Sequence, residues 1–307
     1  MTDQTTKAET FRALHASGAL LLPNAWDAAS ARVFEEAGFP ALGTTSSGIA
    51  YTRGLRDAER IGRDVSVAEI ANIARAVRIP VTADVEAGYG PSPDDVAATV
   101  EAVLDAGAIG INLEDAGHAG GGGHLIATDL QARRIPAART VAERRGIDLM
   151  INARTDTFLR RLGTDTDERI SLTMDRGQAY LDAGADLVFV PLLVDPAVIR
   201  RLADAFDGRL SLMAMPGAPR ASELFAAGAR RVSIGQTAML ASLGTVQAIA
   251  RELKETGTWS AIERSFFGFA EAEALFDDKR RFIPNGTYDA EGRRAANSLL
   301  RSSGQSG

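Results

Sequence analysis

The chain has 307 residues, a formal charge of −6, 45% hydrophobic and 24% charged residues, and no cysteine. This is ordinary globular composition, enough for one large domain or two small ones. It excludes disulfides, a thiolate nucleophile and a cysteine–zinc site, and the negative charge argues against nucleic acid or an anionic membrane as partner.

Residues 8–17 read as a short amphipathic helix with Phe11 and Leu14 inward. A strand follows over 19–25, then a helix over 27–38, a strand over 41–46 and a polar stretch to about 64. Apolar positions Val67, Ile70, Ile73, Ala74 and Val77 recur at helical spacing over 66–77. The stretch Val81-Thr82-Ala83-Asp84-Val85-Glu86-Ala87 reads as a strand, broken at Gly88 and Gly90. The same alternation continues with helices at 93–106, 128–145, 166–183, 196–206 and 219–228. The strands between and after them fall at 109–114, 148–154, 186–192, 210–215 and 231–235.

Several helices close with the same phrase: Glu-Ala-Gly at 36–38, Asp-Ala-Gly at 105–107 and 182–184, Ala-Ala-Gly at 226–228. A glycine there supplies a left-handed cap and turns the chain into the next strand. Strict strand–helix alternation implies a parallel sheet, and eight units predict one closed (β/α)₈ barrel. An open doubly wound sheet is the alternative. Two further helical segments, 237–256 and 258–276, follow the last strand. The second is rich in aromatics (Trp259, Phe266, Phe267, Phe269), which suits packing on its own barrel or on a neighbouring subunit. The expected domain is 1–278, with a mobile, arginine-, glycine- and serine-rich tail over 279–307.

Lysine occurs only at Lys7, Lys254 and Lys279, so no strand carries a lysine for Schiff-base or pyridoxal chemistry. Neither a phosphate-binding loop nor a dinucleotide fingerprint follows any strand. The start of the chain is polar, and no run approaches the roughly 20 apolar residues of a membrane helix. A cytoplasmic protein is the expectation.

Chemistry in such barrels sits at the carboxyl ends of the strands. Here those ends carry Asn24 and Asp27, then Thr45, Ser46, Ser47 and Gly48, then Asp84, Glu86 and Tyr89. Next come Asn112, Glu114 and Asp115, then Asn152, Arg154 and Asp156. Asp84 and Glu86, two apart, share one face if the strand runs on. Carboxylates crowded this way repel unless a hard divalent cation such as Mg²⁺ or Mn²⁺ joins them. The plainer reading is a solvated strand end with two unrelated acids.

With these motifs in order, the chain resembles the isocitrate lyase/phosphoenolpyruvate mutase superfamily over roughly residues 8–275. The match rests on Pro23-Asn24-Ala25-Trp26-Asp27, Thr45-Ser46-Ser47-Gly48, Asp84-Val85-Glu86-Ala87-Gly88-Tyr89-Gly90, Asn112-Leu113-Glu114-Asp115 and Asn152-Ala153-Arg154-Thr155-Asp156. The resemblance implies a barrel whose last helix is exchanged between subunits, in dimers that pair into tetramers. It implies a small carboxylate substrate and Mg²⁺ held by Asp84, with Glu86, Glu114 and Asp57 as further metal-site acids. It makes Ser47, Gly48 and Arg154 substrate contacts, with Arg154 also steadying charge. Thr45 and Asn112, at the same strand ends, are further candidate contacts, and Tyr89 and Tyr51 are candidates either for the pocket wall or for core packing.

One loop departs from the lyase pattern. Residues 116–124 read Ala-Gly-His-Ala-Gly-Gly-Gly-Gly-His, and Gly122 stands where the resemblance would place a catalytic cysteine. His118 and His124 are the candidate proton donors left there, or else two solvated histidines. The implied activity is Mg²⁺-dependent cleavage of a carbon–carbon bond in a small 2-oxo acid or 2-hydroxy carboxylate, a lyase or decarboxylase. The alternatives are phosphorus–carbon chemistry and a non-catalytic carboxylate-binding barrel.

Overall fold

A computed structural model describes residues 3–117 and 124–277. His118, the glycine run after it and the 279–307 tail lie outside the described residues. The chain divides into two compact units after Gly244, inside a helix that the sequence had placed within one domain reaching 278.

The first unit opens with α1 (Asp3–Ala16), β1 (Leu20–Leu22), β2 (Asn24–Ala25), α2 (Ala28–Glu36), β3 (Leu42–Thr44), α3 (Ser46–Thr52) and α4 (Arg63–Ala76). It continues with β4 (Val81–Asp84), α5 (Pro93–Asp105), β5 (Gly110–Glu114), α6 (Thr128–Arg144), β6 (Met150–Arg154) and α7 (Thr166–Asp182). It ends with β7 (Leu187–Pro191), α8 (Pro196–Ala205), β8 (Leu210–Met213), α9 (Ala221–Ala226), β9 (Arg231–Ser233) and the start of α10 (Thr237–Glu255). The second unit holds the rest of α10, α11 (Ser260–Ser265) and α12 (Phe269–Phe276). The aromatic segment is thus two short helices, parted where Gly268 takes φ +92°.

Nine strands pair in the order β1-β9-β8-β7-β6-β5-β4-β3-β2, all parallel, and form the expected (β/α)₈ barrel. The first barrel strand is split at Pro23. Its front half, β1, pairs with β9, and its back half, β2, pairs with β3. Proline has no amide hydrogen for a ladder, but the Pro23 carbonyl still accepts from Gly43 N at 2.8 Å. Asn24 repairs the gap: its Nδ2 donates to Thr44 O at 2.9 Å, and its Oδ1 accepts from Ile234 N and Gly235 N at 3.1 and 2.9 Å. One side chain thereby ties β3 to the end of β9 and closes the cylinder.

Strand side chains alternate. Ile111, Leu113, Ile151 and Ala153 are fully buried in the cluster shared with Val100, Val103, Ile135 and Ala138 of α5 and α6. The opposite face, inside the barrel, carries buried polar groups: Thr82, Asn112, Asn152, Ser211 and Arg231. The helices are capped as their sequences suggest. Ser92 and Asp95 form a reciprocal box with Pro93 in the first turn of α5, and Asp27 with Ser30 does the same for α2. Asp27, an acid at a strand end by sequence, is therefore a helix cap.

Candidate active site

The polar stretch after β3 hides a helix, α3, that the sequence reading missed. Thr45 caps it, accepting from Gly48 N at 3.3 Å. A side chain on Gly48 would meet Thr45 Cγ2 at 2.6 Å and Trp26 Cβ at 2.9 Å, so only glycine fits. Ser46, just inside the helix, donates to Asp84 Oδ2 through its backbone N at 3.1 Å and its Oγ at 2.9 Å. Asp84 N in turn donates to Thr44 Oγ1 at 2.9 Å. The β3–α3 turn and the end of β4 are locked together, with Ser47 and Gly48 buried beside them.

β4 ends at Asp84, and Glu86 has φ +50°. The expectation that Glu86 shares Asp84's face by strand alternation is therefore corrected: a left-handed turn, not the pleat, aims it. Glu86 is buried, and its Oε1 accepts from Tyr89 OH at 3.1 Å. Its Oε2 accepts from Glu59 N at 2.6 Å. Burial, then the charge of Asp57, push the Glu86 carboxyl up to about 9; Glu114 and Asp84 add to this. Burial, then Asp84, likewise raise Asp57 above the usual carboxylate range.

From the other side, Arg154 at the end of β6 pairs with Glu114 Oε2 at 2.7 Å. It also grips Asp156 through Nε at 2.7 Å and Nη2 at 3.2 Å. Burial works against the guanidinium cation, but Glu114 and then Asp156 more than offset it. Asp156 is held from behind: its backbone N donates to fully buried Asp115, which also accepts from Arg176 and Tyr180. The plane of Arg154 lies 5.9 Å over the Phe189 ring.

Asp57, Glu114, Arg154 and Asp156 border a cleft of about 520 Å³ together with Tyr51 and Arg160, whereas Asp84, Glu86, Tyr89, Thr45, Ser47 and Gly48 are not part of its lining. Tyr51 was a sequence candidate for the pocket wall. Arg56, Arg60 and Arg160 were not, yet all three reach it. His124 is exposed, is absent from the cleft lining, and its carbonyl accepts from Gly117 N at 3.1 Å. Asn112 sits deeper, 2.9 Å from Asn152 Nδ2.

Among the described residues no three acids or histidines converge within metal-ligating distance. The acids meet hydrogen-bond donors instead: Asp84 meets Ser46, Glu86 meets Glu59 N and Tyr89 OH, and Glu114 meets Arg154. The donor set nonetheless fits a hard divalent ion. It is all oxygen, and buried Asp57 Oδ1 has no hydrogen-bond partner among the described residues. Two of the acids are held abnormally basic, Asp57 by burial and then the charge of Asp84, Glu86 by burial and then the charge of Asp57.

Sequence reasoning missed Glu59, Arg160 and Arg231. The first sits in an unpatterned polar loop, and Arg160 lies one turn beyond Asp156, where no motif marks it. Arg231 follows Arg230 and looks like half of a solvated pair.

Residues 11–254 match the family model of phosphoenolpyruvate phosphomutase. A Mycobacterium tuberculosis protein of uncharacterised function is 35% identical over 247 residues, covering 80% of this chain and 89% of its own. A Corynebacterium glutamicum protein named probable 2-methylisocitrate lyase 1 is 34% identical, covering 77% of this chain and 78% of its own. The solved structure of phosphoenolpyruvate phosphomutase from Streptomyces platensis subsp. rosaceus has a TM-score of 0.76 at 25% identity, covering 90% of this chain and 99% of that one. The barrel, the acid-lined cleft with Arg154 and these likenesses agree: the chain belongs to the phosphoenolpyruvate mutase/isocitrate lyase superfamily of lyases and mutases.

Proposed function

We propose that the protein is a Mg²⁺-dependent enzyme, with Mn²⁺ as an alternative ion, that cleaves a carbon–carbon bond of a small 2-oxo acid or 2-hydroxy carboxylate by way of an enolpyruvate. The observation that carries this reading is the crowding of Asp57, Asp84, Glu86 and Glu114: Asp57 and Glu86 are held above ordinary carboxylate values by burial first and by neighbouring acids second. Asp84 and Glu86 would hold the ion, with Glu114 and Asp57 at its outer side. The ion supplies positive charge to the oxygen on which negative charge develops.

The chain's own residues bind and orient. Arg154, fixed between Glu114 and Asp156, donates to the substrate carboxylate from a rigid position. Thr45, Ser47 and Gly48 hold the turn facing that carboxylate, Asn112 offers an amide from beneath, and Tyr89 closes one side. His118 and His124 belong to the loop that would supply a proton; with a cysteine-free loop, decarboxylation suits best, because water can protonate the enolate. The exposed aromatics Trp259, Phe266, Phe267 and Phe269 support an exchange of the C-terminal helices within a homo-oligomer.

A second reading, phosphorus–carbon bond chemistry, is favoured by Arg56, Arg60 and Arg160 on the cleft wall, which would suit a doubly charged phosphonate. The deciding assay follows Mg²⁺-dependent pyruvate release from oxaloacetate and 2-methylisocitrate, and phosphate release from phosphonopyruvate, with Asp84→Ala as control. Pyruvate from oxaloacetate, lost in the variant, supports the lyase. Phosphate from phosphonopyruvate moves the reading to the second. Silence on all three, with no Mg²⁺ bound in calorimetry, overturns both and leaves a carboxylate-binding barrel.

A further inference from the structure

Arg231 opens β9 and has no exposed surface. Its strand neighbours are Leu20 on β1 and Ser211 on β8. Its Nη2 nevertheless donates to Asn112 Oδ1, at 3.2 Å, on β5. In the strand order β5 stands opposite β9, so this side chain spans the barrel interior.

A guanidinium can only donate, so the atom it meets must be the carbonyl oxygen of Asn112. That assignment propagates. Asn152 Nδ2 donates to the same oxygen at 2.9 Å, and Asn112 Nδ2 is left with no acceptor among the described residues. One arginine thereby fixes two amides and reserves the Asn112 donor.

The charge is the greater puzzle. Nε and Nη1 of Arg231 have no hydrogen-bond partner among the described residues, and no carboxylate pairs with the guanidinium. Its titratable neighbour at the end of α1, His15, is buried and held neutral, pushed to about 4 by burial and by Arg231 itself. A buried cation with no paired anion is unfavourable unless opposite charge stands close by. Asp84 is that charge. It faces Asn112 in register across β4 and β5, and its field is what opposes the loss of the Arg231 proton that burial promotes.

We propose that Arg231 is a positioning residue for the active site: it locks the Asn112 amide from beneath and supplies the standing positive charge against which the acids at the strand ends assemble. The role rests on those acids forming a cation site, as proposed above, but its first test needs no cation. Wild type, Arg231→Met, Asp84→Asn and the double variant are melted in excess chelator. Arg231→Met is expected to lower the midpoint in the wild-type background and to lower it much less beside Asp84→Asn. Equal losses in both backgrounds overturn the counter-charge.

The second test is calorimetric titration with Mn²⁺. Arg231→Met is expected to bind roughly tenfold more tightly than wild type, because a like charge has gone. Arg231→Lys keeps the charge and is expected to keep wild-type affinity. Arg231→Gln stands in if the methionine variant does not fold. Unchanged affinity in the neutral variants, with Mn²⁺ bound to wild type, overturns the proposal. If wild type binds no Mn²⁺, the cation site itself falls, and the melting comparison alone decides Arg231.

Discussion

Glu59 and Glu86 are joined by a 2.6 Å hydrogen bond from the Glu59 amide to Glu86 Oε2, and the Glu59 carboxylate accepts from Tyr89 N at 2.6 Å in return. This two-way clasp ties the loop that carries Asp57 to the turn after β4. Both sides are held in left-handed backbone: Ala58, Glu59, Glu86 and Tyr89 have φ of 76°, 58°, 50° and 57°. Such residues each cost about 1–3 kcal/mol and persist only where contacts over-determine them. Glu59→Ala removes the acceptor for Tyr89 N and is expected to weaken Mn²⁺ binding by roughly tenfold, whereas Glu59→Gln keeps an acceptor and most of the affinity. Calorimetry checks this; an alanine variant with wild-type affinity would remove the clasp from the site's architecture.

Stability without metal should fall as pH rises. Glu86 moves from an ordinary 4.5 to about 9 in the folded chain, through burial first and Asp57 second. A carboxyl held above its unfolded value keeps its proton in the fold after the unfolded chain has released its own. Its contribution is therefore full below about pH 4.5 and is lost as pH climbs toward 9. Melting in chelator from pH 5 to 9 should show a declining midpoint. Glu86→Gln should flatten the decline, and saturating Mg²⁺ should do the same by stabilising the ionised acids. A profile that is flat in wild type would mean the acids are not crowded as described.

The barrel was legible because its signals are local and repeated. Gly107, Gly184 and Gly228 adopt the positive φ expected of helix-ending glycines, and each turns directly into a strand. The acids at the carboxyl ends were legible because the fold says where to look. What escaped has no local period. Helix α3 is only seven residues, and Ser46, Ser47 and Gly48 are weak helix formers that tertiary contacts with Asp84 and Trp26 hold in place. Pro23 splits the first strand, and Asn24, which read as a strand-end polar group, instead closes the cylinder. Nothing in Arg230-Arg231 reveals that the first is half-buried while the second crosses the interior, since strand phase is set by pairing rather than by residue type.

Gly48→Ala tests how tightly α3 is placed. The added carbon would sit 2.6 Å from Thr45 Cγ2 and 2.9 Å from Trp26 Cβ, so the cap must shift. The expected cost is about 1–3 kcal/mol, the usual range for overpacking. Because Ser46 is bonded to Asp84, the shift should also weaken substrate and metal binding. Denaturant unfolding and steady-state kinetics together check this: a stability loss with an unchanged KM would detach α3 from the site.

Asp115 is the deepest acid behind the cleft. It accepts from Arg176 Nη1 at 2.9 Å, Tyr180 OH at 2.8 Å and Asp156 N at 3.0 Å, and has no exposed surface. Through Asp156 it sets the position of the Arg154 fork. Asp115→Ala takes the carboxylate from the partly buried Arg176 guanidinium, which keeps only the Ile126 carbonyl and Tyr180 as neighbours, and is expected to destabilise the fold by about 3 kcal/mol. Replacing the trio together, with Asp115→Leu, Arg176→Met and Tyr180→Phe, leaves no uncompensated charge and should cost far less. That variant still lacks the acceptor for Asp156 N, so Arg154 loses its backing. Its activity should therefore drop by roughly tenfold or more even where its unfolding midpoint approaches wild type. If activity follows stability alone across the single and triple variants, Asp115 is a core ion pair with no part in holding Arg154.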